Sequence, residues 1–187
     1  MAQIARAHPH KRIEVWFQDE ARFGQQGTVS RKWAPTGSRP PAVKQTKYDW
    51  LYVLGAACPA SGQTVGMIAP YIDAAMINLF LEQMSRQIAP GVHVVLIWDQ
   101  AGFHRAGHVK TPTNITLLPL PPYSPELNPV GNLWHYLRSH YWSNREYADY
   151  EALSDAACQA WRETCLDAEL MKSVCRAPYI EPRKVKE

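Results

Sequence analysis

The chain has 187 residues, 46% hydrophobic and 20% charged, with a formal net charge of +3. Such a composition excludes a disordered or fibrous chain and leaves one domain enough length to bury a core. No apolar run is long enough for a membrane-spanning helix, and the start, MAQIARAHPHKR, has no apolar h-region, so a cytoplasmic protein is expected.

In chain order, residues 1–11 read as flexible. Arg12–Gln18 alternates, with Ile13, Val15 and Phe17 on one side, and reads as a strand ending on the acid pair Asp19-Glu20. A glycine-punctuated loop, Ala21–Thr28, follows. Further strands are expected around Val29–Ala34, Trp50–Cys58 and Gln63–Tyr71, separated by Pro- and Gly-bearing turns. The first 70 residues therefore read as an antiparallel meander. Asp73 is a candidate N-cap for a helix carrying Ile77, Phe80, Leu81, Met84 and Ile88, which Pro90-Gly91 stops.

Val92–Trp98 is apolar on both faces, as in a central strand covered on both sides, and opens into Asp99. A carboxylate there escapes full burial while the sheet holds its backbone. Ile115–Leu120 is another short strand. Asn128-Pro129 caps a helix with Val130, Leu133, Trp134 and Leu137 as its apolar stripe, and Tyr150–Cys175 reads as one or two more helices. Residues 181–187 are charged and expected to fray. Trp33 and Trp134 are expected in the core. The four cysteines form no CxxC pair and read as reduced and structural.

Two strand-like runs thus end on acids, Asp19 and Asp99. Were these strands parallel neighbours, about 4.8 Å apart, their carboxylates could share a hard cation. Two such ions roughly 3.5–4 Å apart serve in-line attack on a phosphodiester, and a third carboxylate normally completes the pair. Charge is unevenly spread: residues 1–50 carry nine Lys/Arg against four acids, whereas residues 146–170 carry seven acids against Arg162 alone. One end could face a polyanion and the other would repel it.

Three blocks in order, FQDEARFG (17–24) with RKWAPTG (31–37) behind it, VVLIWDQAGFH (94–104) and LPLPPYSPELNPVGNLW (118–134), resemble the DDE transposases of bacterial insertion sequences, in the superfamily that includes mariner elements. The resemblance implies an α/β, ribonuclease-H-like fold with a mixed five-stranded sheet flanked by helices, in a single domain over 1–187. It also implies a two-metal site for Mg²⁺ or Mn²⁺, and DNA strand cleavage and transfer at transposon ends by a dimer on DNA. Residue by residue, Asp19 and Asp99 match the first two catalytic and metal-binding acids. Glu20 is carried over as a supporting or structural residue, and His104 as a loop anchor or DNA contact.

The third block departs from the family pattern. The third acid of the family follows an Asn-Pro-apolar tripeptide, and that position here is Gly131. Glu126 lies five residues earlier and is the alternative third metal ligand. With Asn128 as cap, a glutamate at 131 would complete a capping box at the positive end of the helix, a gain that glycine forgoes. Only 18 residues precede Asp19, so no N-terminal helix-turn-helix module is expected; a separate polypeptide could supply one. Three readings remain: an impaired DDE recombinase domain in the nucleoid, an inactive DNA-binding or assembly module, and a structure-selective nuclease on the same fold.

Overall fold

The computed structural model describes residues 2–26, 33–38, 45, 47–100 and 108–179. A short helix α1 (Ala2–Ala7) precedes β1 (Arg12–Gly24), β2 (Trp50–Ala57) and β3 (Thr64–Ala69). Helix α2 (Ala74–Gln87) leads into β4 (Val92–Trp98) and β5 (Ile115–Pro119). A 3₁₀ turn (Pro125–Leu127), α3 (Val130–Leu137), a π-turn (Arg138–Trp142), α4 (Tyr150–Cys165) and α5 (Ala168–Val174) complete the order. The five strands lie in the order β3-β2-β1-β4-β5. β1, β2 and β3 are antiparallel, whereas β4 and β5 run parallel to β1. The meander and the mixed five-stranded sheet are as expected.

Period-two alternation splits the core in two. Phe17, Ala21 and Phe23 of β1 face a cluster with Leu133, Trp134 and Leu137 of α3 and Leu153, Ala157 and Ala160 of α4. Trp16 faces the opposite cluster with Ile77, Phe80, Leu81 and Met84 of α2. Two glycines let the large aromatics approach the sheet. A Cβ on Gly55 would stand 2.7 Å from the Trp134 ring, and one on Gly66 would stand 2.4 Å from Trp161. Asp73 caps α2 by accepting from the Met76 N–H at 2.9 Å, and Ile88, counted with the helix from its spacing, instead takes extended backbone at the C-cap. The four cysteines are free, with Cys58, Cys165 and Cys175 buried.

Several expectations need correction. β1 does not end at Gln18. It runs to Gly24 because its antiparallel pairing with β2 continues from Phe17 opposite Ala57 to Gly24 opposite Trp50. Trp33 is fully exposed rather than in the core; Trp134 is buried. The strand expected over Val29–Ala34 lies largely outside the described residues, and Trp33 and Ala34 are not in a strand. Residues 2–7, read as loose, form α1, and beyond it the His8 ring stacks on His93 with centroids 3.6 Å apart. The 181–187 tail is outside the described residues. Among the described residues no helix is long and apolar enough to cross a membrane.

Candidate active site

β1 changes partners at the site. Its parallel pairing with β4 stops at Phe17 opposite Ile97, while the pairing with β2 carries on past Asp19. The side of β1 toward β4 therefore opens just where Asp19 is held, a switch point of the kind that binds ligands in open α/β sheets. Asp99 follows the last residue of β4 and is exposed. Both acids line one cleft of about 550 Å³, whose rim is Leu120, Pro121, Pro122, Tyr123 and Pro125.

Three stitches bring the separate segments together. Trp98 accepts the Leu120 N–H at 2.8 Å, and Gln100 donates its side-chain amide to the Leu120 carbonyl at 2.7 Å, so the backbone on either side of Asp99 is tied to the proline loop. Asn128 donates to the Gln18 carbonyl at 2.9 Å, next to Asp19, and accepts the Val130 N–H at 3.1 Å. Asn128 is extended and Pro129 already helical (φ −68°, ψ −14°), which makes Asn128 the cap of α3 by dihedral. One side chain thus starts the helix and pins it to β1.

The third stitch is Trp134, whose indole N–H donates to Asp19 Oδ2 at 3.0 Å. Sequence reading placed Trp134 in the core and missed this contact. The available signal was that a buried indole N–H needs an acceptor. Trp134 also lies three residues after Gly131, hence on the same helix face.

The Asp19 carboxyl is pushed up from 3.8 to about 6, first by burial and then by the charge of Glu20, with Asp99 adding a smaller upward push. The Glu20 backbone N–H and the Trp134 indole act the other way. Glu20 itself alternates to the opposite face from Asp19, where it accepts from Gln18 at 2.8 Å. It acts on Asp19 through charge and backbone, and the cleft is not lined by it.

Gly131 lines the cleft, and a Cβ built on it meets nothing within 4 Å. Its φ is not positive, so no backbone demand reserves the position for glycine. The expected capping box has no free donor, since the Asn128 N–H already donates to Pro125 at 3.0 Å. Glu126 sits exposed on the 3₁₀ turn and is not among the residues lining the cleft. His104 lies outside the described residues. Among the described residues no three His, Cys, Asp or Glu side chains are placed to share a metal ion. The oxygen donors Asp19 and Asp99 suit one hard divalent cation and do not complete a pair of sites.

A family model for the DDE superfamily endonucleases matches residues 14–154. An uncharacterised protein of Sinorhizobium fredii, y4pE/y4sA, is 44% identical over 114 residues, covering 61% of this chain and 84% of that one. The Tcb2 transposase of Caenorhabditis briggsae is 31% identical over 153 residues, 73% of this chain and 56% of its own. Among solved structures, the Mos1 mariner paired-end complex with Mn superposes with a TM-score of 0.65 at 15% identity, covering 93% of this chain and 55% of that one. The corresponding complex with Mg gives 0.64 at 16% identity, covering 87% and 51%. The fold is thus the ribonuclease-H-like one of these mariner structures. The chain spans just over half the length of Tcb2 and of these Mos1 chains.

Proposed function

The chain belongs to the DDE superfamily of endonucleases, and from that membership we propose that it is the catalytic domain of a mariner-like transposase, acting on DNA ends with Mg²⁺ or Mn²⁺ and impaired by Gly131. The observation that carries this reading is the meeting of Asp19 and Asp99 in one cleft at the β1–β4 switch. A divalent cation bound between these carboxylates would activate water and stabilise the leaving oxygen of a phosphodiester. The chain's own residues set up that place. Trp134 orients the Asp19 carboxylate, Asn128 fixes β1 against α3, and the Leu120 carbonyl and N–H hold the Asp99 segment.

Gly131 supports the impairment, because it leaves open space in the cleft where the family pattern has its third acid. The same observation favours a second reading, an inactive module that keeps the fold for assembly on DNA or with an intact transposase. Dimeric assembly on DNA, a separate helix-turn-helix polypeptide and a bacterial cytoplasmic setting belong to the proposal. The test is Mn²⁺-dependent nicking of transposon-end DNA by the chain and by Gly131→Glu, supplied with a recognition module. A recombinase domain gains nicking with the glutamate and loses it again on Asp99→Asn. Failure of the glutamate form to nick any end, while still binding DNA, selects the assembly module.

A further inference from the structure

Two non-glycine residues among those described have positive φ, Asn144 at 56° and Tyr123 at 57°. Asparagine enters that region readily; a bulky aromatic does so at a cost and persists only where its surroundings impose it. Tyr123 is 100% exposed, so no packing of its ring accounts for the conformation. What imposes it is the loop. Pro121, Pro122 and Pro125 restrict the backbone on both sides, Ser124 donates its hydroxyl to the Pro122 carbonyl at 3.3 Å, and the Leu127 and Asn128 N–H groups close the turn onto Ser124 and Pro125. The outcome is a constrained backbone that presents a flat, uncharged, solvent-exposed ring at the mouth of the cleft that Asp19 and Asp99 line.

We propose that Tyr123 is a stacking platform for an unpaired nucleobase flanking the phosphodiester that enters the cleft. The proposal rests on the reading of DNA as substrate. A neutral ring among prolines and Leu120 suits the face of a base and offers no charge to a phosphate. Bases inside a duplex have both faces covered, so the occupant is a frayed, flipped or overhanging one. Tyr123 thereby selects DNA ends that present a loose base beside the cleavage point.

The test is binding of a duplex with a short overhang that carries fluorescent aminopurine at its first unpaired nucleotide, measured with Mn²⁺ present. The full chain is compared with Tyr123→Phe, which keeps the ring, and with Tyr123→Asn and Tyr123→Gly, which tolerate the dihedral without it. The wild-type and phenylalanine forms should quench the fluorophore and bind alike. The asparagine and glycine forms should lose the quench and bind about tenfold more weakly, with undiminished Tm. An abasic nucleotide at the same place should bring the wild type down to their level. Equal binding and quenching by all four proteins overturns the platform while leaving DNA binding intact. No binding of any DNA by the wild type removes the DNA reading, and the platform with it.

Discussion

Asp19 and Asp99 reach the same cleft by opposite routes. Asp19 lies within a long strand, half-buried, with its carboxylate held by Trp134 and its proton affinity raised to about 6 by burial and by Glu20. Asp99 stands exposed just past the end of β4, on a segment whose flanking residues Trp98 and Gln100 are tied to Leu120. The first acid is held inside the fold at an energetic cost; the second stands in solvent on a segment tied to the proline loop. A cation site made this way would gain rigidity from β1 and α3 and accessibility from the β4 end. It also follows that the metal-free fold carries an unfavourable charge at Asp19 that a bound cation would relieve.

The largest expected effect separates the two acids directly. In chelator at pH 7, Asp19→Asn should raise unfolding stability by about 3 kcal/mol, since the amide still accepts from Trp134 and the buried charge is gone. Asp99→Asn should change stability far less, because that carboxylate is exposed and carries no comparable burial cost. The sign with pH follows from the raised carboxyl: the folded state holds its proton longer than the unfolded state. Metal-free stability therefore falls as pH rises from 3.8 through about 6 and levels off above. Urea titrations across that range should show the fall in the wild type and in Asp99→Asn, and a nearly flat profile in Asp19→Asn.

Trp134→Phe sharpens the contrast at the next magnitude. It keeps an aromatic ring above Gly55 and removes one hydrogen bond to a charged acceptor, with an expected loss of about 1.5–3 kcal/mol. With the indole gone, Asp19 holds its proton to higher pH, so the fall in stability should extend upward. Coupling measured by a double-mutant cycle with Asp19→Ala, which removes the acceptor, should account for most of the loss; additive effects would place the role of Trp134 in packing alone.

Much of this arrangement was legible from residue patterns, and the parts that were not have physical causes. β4 announced itself as a doubly covered strand, and Asp73 and Asn128 as caps, because each signal is local. The continuation of β1 was masked because Asp19-Glu20-Ala21 has low strand propensity, and pairing with β2 overrides it. The spacing of Trp33, like that of Trp134, fits a buried face, yet Trp33 is solvent-exposed and belongs to no strand. The bond from Trp134 to Asp19 joins residues 115 positions apart, and the positive φ of Tyr123 is imposed by its loop. The sequence signals that the indole needs an acceptor and that prolines confine the loop, but neither the identity of that acceptor nor the sign of φ follows from them. Gly131 was legible as a missing acid, whereas the loss of its capping box was not, since the Asn128 N–H is occupied by Pro125.

A smaller stability effect than at Asp19 or Trp134 is expected at that position. Without a cation, Gly131→Glu should change stability by less than about 1 kcal/mol, because gained helix propensity is offset by a third negative charge in the cleft. With saturating Mn²⁺ the glutamate form should gain more in Tm than the wild type, as the extra ligand binds only the folded state. A scan of Tm against Mn²⁺ concentration shows the difference, and identical curves would mean that position 131 lies outside the metal site.

The most direct test is the stoichiometry of Mn²⁺ binding, read by calorimetry and paramagnetic resonance on the wild type, Asp19→Asn, Asp99→Asn and Gly131→Glu at neutral pH. The expected result is one ion per chain in the wild type, loss of that ion in either aspartate variant, and a second, spin-coupled ion only in Gly131→Glu. Two coupled ions in the wild type, surviving in Glu126→Gln, would contradict a site that ends at Asp19 and Asp99.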